Sequence, residues 1–576
     1  MRNKSIDSLK AIAIISVVFY HLKVMTYGFL GVDIFFVIAG YLTTRSIQKL
    51  IGNDTFSYIK FVSDRIKRLM PLILAVGTVC LIIGVVGMLP DDFENMSSTI
   101  IASNFMSNNV LAAITTKNYW DVVNDYKPLM HLWYVGVLFE FYLVYPLIIL
   151  IISKVSEKNN PKNIKLYKRG ILSLTFISVI LYLYPGFGAA QKFYFLPFRF
   201  FEFGIGAGIL YFEEKLKKLF KNSIWNAIFC IGLLILLCWK TDIIPASFRL
   251  IVVVCFAALF IVSNPFNQKI IENRFLVAIG QRSYSIFIWH QMLLAFYRYY
   301  FTNQYGVLFI ILYWIAVLLI SELSYNLIEQ KIQKYKTKVV IAFCIIAFLL
   351  STGTSLLIYV HAGVVRDVPE LGIYKDNVHR GMHKEYCDRV YSYDHDFAND
   401  GRIKVFVTGW SFARDFANMI LESKYGEYVD LSYALTYTSD YDVRIQEADY
   451  IFVYGNKNNY SGKLFEVGNG EYWGIGPKNF GESNGIIYKN RFSENYFDQT
   501  IVINDSFINE NKEDKEQWGD HYINMIDLVQ NSDGSIPIFT DDNMFISQDC
   551  RHLTEAGAKY YAKLVDWDSI FDEGIK

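Results

Sequence analysis

The chain has 576 residues, with 55 Lys+Arg balanced by 55 Asp+Glu, and 53% of its residues are hydrophobic and 17% aromatic. Only 19% are charged, below the roughly 25% of an ordinary soluble domain, which excludes a disordered chain. A zero balance leaves no overall basic surface to displace phosphate counterions, so a general nucleic-acid binder is excluded as well.

The apolar residues concentrate before residue 362, in segments of about 17 to 25 residues, the length a helix needs to cross a hydrocarbon core roughly 30 Å thick. Eleven such spans are expected, at 8–26, 29–48, 70–89, 132–153, 170–185, 195–212, 223–238, 248–263, 278–298, 306–328 and 338–361. The first is not a cleavable signal peptide, because no small-residue cleavage site follows it and further spans come directly after. Lys and Arg gather in alternate loops, including Arg45, Lys49, Arg65 and Arg68, then Lys165, Lys168 and Arg169, then Lys215, Lys217 and Lys218, then Lys331 and Lys334. Such loops stay on the cytoplasmic side. The N-terminus is therefore expected in the cytoplasm of a multi-pass cell (plasma) membrane protein, with everything after residue 361 outside.

Within the spans, ionisable side chains are costly and mark function by default. Lys10 and His21 lie eleven residues apart, close to three helical turns, and so share a face. Asp33, Glu140, the i,i+3 pair Arg199 and Glu202, and Arg282 with His290 complete the set. An imidazole at His21 suits a general base.

Residues 362–401 read as a polar linker. Beyond it, IKVFVTG (403–409) and DYIFVYG (449–455) are short apolar runs ending in glycine, as expected of parallel strands buried on both faces. With helical segments between and after them, residues 402–576 are expected to form an α/β domain. The run VFVTGWSFARDF places Ser411 where a strand turns into a helix, and DCRHLTEAGAKYYAKL supplies Asp549 and His552 three residues apart. An aspartate can then orient an imidazole that deprotonates the serine, beside backbone N–H groups facing an oxyanion. Cys80, Cys230, Cys238, Cys255 and Cys344 fall in apolar spans as packed side chains; Cys387 and Cys550 lie outside, where a disulfide is an open alternative. No metal-ligand pattern is expected. The neutral total also divides: residues 362–576 hold 21 Lys+Arg and 37 Asp+Glu, a net of −16, and the first 361 residues a net of +16.

Several stretches carry a resemblance. SIDSLKAIAIISVVFYH with GFLGVDIFFVIAGYL resembles the opening of the membrane acyltransferase-3 family, and SDRIKRLMP, HLWYVGVLFEFYLVYP, RFFEFGIG and RSYSIFIWH resemble its later blocks in order. Leu138 stands where many relatives carry glutamate. The resemblance implies an acyltransferase domain over 1–335 with an additional transmembrane helix at 336–361. It also implies transfer of an acyl group, usually acetyl, from cytoplasmic acetyl-CoA, a donor substrate with no bound cofactor. Arg65, Arg68, Arg199, Tyr284 and His290 are the implied acyl-CoA residues, with His21 and Lys10 catalytic. The Ser411, Asp549 and His552 pattern resembles the SGNH hydrolase fold, although Trp410 stands where that pattern has aspartate. That resemblance implies a third element, an asparagine or glycine donor to the oxyanion: Asn456 is chosen, with Gly455, Asn458 and Asn479 as alternatives. The fold class expected is thus a multi-pass α-helical membrane bundle of about eleven helices followed by an extracytoplasmic α/β SGNH-like domain. The function expected is O-acylation of a cell-wall or surface polysaccharide, with acyl-CoA, an extracellular or periplasmic glycan and membrane lipid as partners. Two other readings are an outer acetyl-esterase and a transporter with a glycan-binding domain.

Overall fold

The computed structural model describes residues 3–115, 124–157, 164–240, 243–265, 267–377, 379, 381–398, 400–460 and 462–571. The chain divides into two units: Met1–Ile83, Asn95–Arg298 and Gln304–Leu357 form the first, and Gly84–Glu94, Tyr299–Asn303 and Ile358–Lys576 the second.

In the first unit, seven helices among the described residues are long and apolar enough to cross a membrane. They are Gly28–Gly52, Tyr58–Gly87, Leu132–Ile152, Leu166–Leu183, Ala189–Leu210, Val307–Lys334 and Thr337–Val360. An eighth is counted if Glu213–Leu219 and Ile224–Cys238, bent by 100°, make one broken span. Length and composition thus support seven or eight of the eleven expected spans, and the other three differ from these in identifiable ways. Helix Lys4–His21 carries Lys4, Asp7 and Lys10 within its 18 residues. Ala246–Val262 has only 17 residues. The segment around 278–298 is broken at Arg282, between Arg274–Gln281 and Ser283–Tyr300.

Small residues set one decisive crossing in this unit. A Cβ on Gly40 would lie 2.0 Å from the Phe203 carbonyl oxygen, and one on Gly206 2.0 Å from that of Val37. The helices Gly31–Gly52 and Leu196–Leu210 thus meet backbone to backbone, the mode of contact small residues allow where lipid offers no hydrophobic drive. That contact brings Asp33 of one helix to Arg199 of the other at 2.9 Å.

The second unit is built on a parallel sheet of five strands in the order β2-β1-β3-β4-β6, with β1 Ile403–Thr408, β2 Val429–Ala434, β3 Tyr450–Tyr454, β4 Glu471–Ile475 and β6 Tyr522–Ile523. A separate antiparallel pair joins β5 Thr500–Val502 to β7 Ser535–Pro537. Side chains alternate across the sheet: Val405, Val407 and Phe452 enter one core, and Phe406, Ile451 and Val453 the other. That is why the strands read as unbroken apolar runs. Residues 362–401 are more than a linker. Val364, Val368, Ile373 and Val390 are buried in the same core as Val405, and Met382–Asp388 is a helix. Their apolar residues follow no fixed period, so the sequence shows no element there. Cys387 and Cys550 are buried thiols, not bridged to each other; the Cys550 thiol lies 3.0 Å from Asn484 Oδ1 and that of Cys387 3.8 Å from the Leu553 carbonyl.

Candidate active sites

Strand β1 stands between β2 and β3, so the connections from the carboxyl end of the sheet diverge there, the place where open α/β sheets form ligand crevices. Gly409 (φ +134°) turns the chain, and a Cβ on it would sit 2.9 Å from Tyr454 Cβ. Helix Ser411–Glu422 starts at once, with Trp410 as its cap residue and no side-chain capping bond. The Ser411 hydroxyl is thereby left for another partner. Its Oγ is 3.0 Å from His552 Nε2, and His552 Nδ1 is 2.6 Å from Asp549 Oδ2. Asp549 Oδ1 accepts from the backbone N–H groups of His552 (2.8 Å) and Arg551 (3.0 Å), which holds the carboxylate in place. In the tautomer with Nδ1–H toward Asp549, Nε2 accepts the serine proton. This is the arrangement that a nucleophilic-serine relay requires. Ser411 and His552 are each only 3% exposed.

Asn456 Oδ1 accepts from Asn458 N–H at 2.9 Å, a turn contact, and Gly455 N–H is already given to the Ile475 carbonyl at 3.0 Å. Asn479 closes its own loop on Gly481. The N-terminus of helix Ser411–Glu422 remains as a source of free N–H groups.

A buried ion cluster behind the serine escaped the sequence reading. Asp415, one helical turn after Ser411, meets Lys478 Nζ at 2.8 Å and Arg414 at 3.2 Å, and its Oδ2 accepts Leu553 N–H at 3.0 Å. One carboxylate thus ties the serine helix to the loop that carries His552. Burial alone would push the Asp415 carboxyl up, but Lys478, Arg414 and His552 together hold it below the usual range. Burial pushes the Lys478 ammonium down. The i,i+4 spacing of Ser411 and Asp415 was the available signal.

In the first unit, His21 Nε2 is 2.8 Å from His131 Nε2, and the rings of His21, His131 and His290 stand 4.3, 4.6 and 5.7 Å apart, centre to centre. His290 Nδ1–H donates to the Ile286 carbonyl at 3.1 Å, leaving Nε2 without a partner among the described residues. The three ligand nitrogens lie within 4.8 Å of one another, so the cluster has the donor set of a three-histidine metal site. No such site was expected, because the three histidines come from separate segments: His21 ends one helix, His131 lies in the turn before another and His290 sits within a third. His131 in particular was missed, although it opens the quoted HLW block. Arg298 donates to the His21 carbonyl at 2.7 Å.

Lys10 pairs with Asp7 at 3.2 Å, and lines a cavity of about 1010 Å³ with Arg45, Lys49, Arg65 and Arg68. Lys10, Leu42, Arg65 and Arg68 also line a narrower chamber of about 120 Å³ walled by Leu138, Tyr284 and Phe287. Arg65 stacks between Phe61 (4.7 Å) and Tyr142 (4.8 Å), and Tyr284 donates to the Leu69 carbonyl. Phe287 packs on both His131 and His290, at 5.6 and 5.7 Å. The chamber's aromatic wall therefore abuts the histidines. Arg199 lies elsewhere, buried between Asp33 (2.9 Å) and Glu202 (2.8 Å) and beside Trp133. Glu140 accepts from Asn109, and Arg282 pairs with Glu322.

Comparison with known proteins agrees with this division of the chain. No solved structure matches. The SACOL0978 protein of Staphylococcus aureus (strain COL), named for O-acetyl transfer, is 29% identical over 358 residues. "O-acetyltransferase OatA" of S. aureus (strain NCTC 8325 / PS 47) is 28% identical over 351. The match covers 57% of this chain and 57% of each relative, so the chain spans little more than half the length of the relatives it matches. The family described as an acyltransferase domain matches residues 3–360, and this chain belongs to that acyltransferase family.

Proposed function

We propose that the protein is a membrane O-acetyltransferase that takes acetyl from cytoplasmic acyl-CoA and delivers it to a hydroxyl of a glycan outside the cell membrane. The relatives' names motivate the group transferred. The clustering of Lys10, Arg45, Arg65 and Arg68 around one large cavity supports an anionic donor, since guanidinium groups pair with phosphates. The narrow chamber suits the donor's thin arm, and its far wall abuts the histidines. His21 is then the base that takes the proton of the hydroxyl or thiol carrier that attacks the acyl thioester and returns it to CoA, which leaves as its thiol, and His131, hydrogen-bonded to it, fixes its orientation.

In the second unit, Ser411 Oγ gives its proton to His552 and attacks the acyl carbonyl; the bond to the acyl carrier breaks and the carrier leaves with a proton from His552. A glycan hydroxyl next gives its proton to His552 and attacks the acyl-serine, and Ser411 Oγ leaves, recovering its proton. Asp549 orients the imidazole through both half-reactions. The single observation that carries this reading is the Ser411, His552 and Asp549 relay at 3.0 and 2.6 Å.

The test follows radiolabel from acetyl-CoA into polysaccharide with purified full-length protein. Loss of transfer in both His21→Ala and Ser411→Ala is expected. Undiminished transfer in His21→Ala removes the membrane step, and in Ser411→Ala the serine relay. Release of free acetate faster than transfer, with glycan present, favours an esterase instead.

A further inference from the structure

We propose that His21, His131 and His290 form a binding site for one divalent transition-metal ion such as Zn²⁺, and that an ion held there stops acyl transfer by occupying His21. The site stands on geometry alone; the effect on transfer rests on the base reading of His21 given above.

A base needs only His21 and the partner that orients it, so the hydrogen bond of 2.8 Å between His21 and His131 accounts for two of the three rings. It does not account for His290. That side chain is 0% exposed; its Nδ1–H is given to the Ile286 carbonyl, and its Nε2 has no partner among the described residues. One ring nitrogen tied to a backbone carbonyl, with the lone pair left on the other, is how a ligating histidine is prepared. His131 Nδ1 is also buried without a partner among the described residues. Buried polar atoms are nearly always paired, and one that is not marks a place for a water or an ion.

The surroundings hold the cluster in place. Tyr313 donates to the His290 carbonyl and Arg298 to that of His21, both at 2.7 Å, and Phe287 packs against His131 and His290. The Arg298 cation is offset by the Asp125 carboxylate 3.6 Å away. Zinc takes imidazole nitrogen at about 2.0–2.1 Å in a tetrahedron, which sets the ligand nitrogens roughly 3.3 Å apart. The three nitrogens already lie within 4.8 Å of one another, so side-chain torsions suffice to close the set. Three neutral nitrogen donors suit Zn²⁺, Co²⁺ or Cu²⁺ and not Mg²⁺ or Ca²⁺. A neutral imidazole has a single ring lone pair. Once His21 gives that pair to a metal ion, it has none for the proton of an attacking hydroxyl or thiol, so metal binding and base action exclude each other.

The test uses the full chain in detergent, stripped with a chelator and then dialysed against Zn²⁺ or Co²⁺. One ion per chain is expected to stay bound, with Co²⁺ giving the visible absorption of a four-coordinate site. Zn²⁺ is expected to lower acetyl transfer about tenfold or more, EDTA to restore it and Mg²⁺ to leave it unchanged. His290→Ala and His290→Phe are each expected to weaken Zn²⁺ binding by about tenfold or more, and to raise by a similar factor the Zn²⁺ concentration that halves the variant's own metal-free activity. His379→Ala, which removes an exposed imidazole, should change neither. Melting curves check that each variant is folded, and His131→Ala, read by Co²⁺ absorption, decides if the His290 variants are not. Wild-type protein that retains neither ion overturns the proposal, as does retention unchanged in the folded His290 or His131 variants. One ion bound through the three histidines with transfer undiminished keeps the site and overturns its effect, together with the base reading of His21.

Discussion

Asp415 shows how a residue that never meets substrate can govern one that does. Its carboxylate ties Leu553, the neighbour of His552, to the helix that begins with Ser411, and balances the buried Lys478. Asp415→Leu leaves that ammonium buried without its closest counter-charge, which costs about 3–5 kcal/mol. A fall in melting temperature and slower turnover together are expected. Adding Lys478→Met removes the stranded charge and should recover most of the stability but not the turnover, since Leu553 N–H stays unanchored. Asp91 makes a second prediction. Burial, with Asp92 adding to it, pushes its carboxyl up to about 7, and it accepts from Gln548 Nε2 at 2.9 Å, next in sequence to Asp549. The folded protein holds this proton more tightly than the unfolded chain. Its contribution is therefore fully present below the ordinary aspartate value of 3.8 and is lost as pH rises through about 7. Melting temperatures measured from pH 4 to 8 should fall along that window, and Asp91→Asn should flatten the slope.

At the scale of elements, one helix crossing orders the buried charges of the first unit. Gly206→Val places its side chain against the Val37 carbonyl and forces the helices apart, separating Arg199 from Asp33. Sharply reduced recovery of folded protein from membranes is expected. Gly353→Ala is the control: a Cβ there meets nothing within 4 Å, and alanine is favoured over glycine in a helix by about 0.5–1 kcal/mol, so recovery should match or exceed wild type. The same elements show what was legible in the sequence. Strands β1 and β3 were readable because both faces are buried, giving continuous apolar runs. The serine elbow was readable because Gly409 and Ser411 sit at a strand end, and Asp549 with His552 because both lie in one short loop. His131 and Lys478 were not, because each acquires its neighbour from a distant helix or loop. The first helix reads as a full span on apolar content alone, and Lys4, Asp7 and Lys10 near one end set it apart from the seven.

Over the whole molecule, the neutral total is the sum of two unlike parts. The first 361 residues carry +16 and the remainder −16, and Lys10, Arg45, Lys49, Arg65 and Arg68 of the first line a cavity of about 1010 Å³. This asymmetry fits an anionic donor at one unit and a neutral or cationic acceptor at the other. The central claim is that acetyl from the donor rests on Ser411 before it reaches the glycan. Its most direct measurement is mass spectrometry of the peptide containing Ser411 after full-length protein meets acetyl-CoA without acceptor. An acetyl adduct on Ser411, absent in His21→Ala and discharged when glycan is added, is the predicted result. A glycan that becomes acetylated while Ser411 never carries acetyl would contradict it.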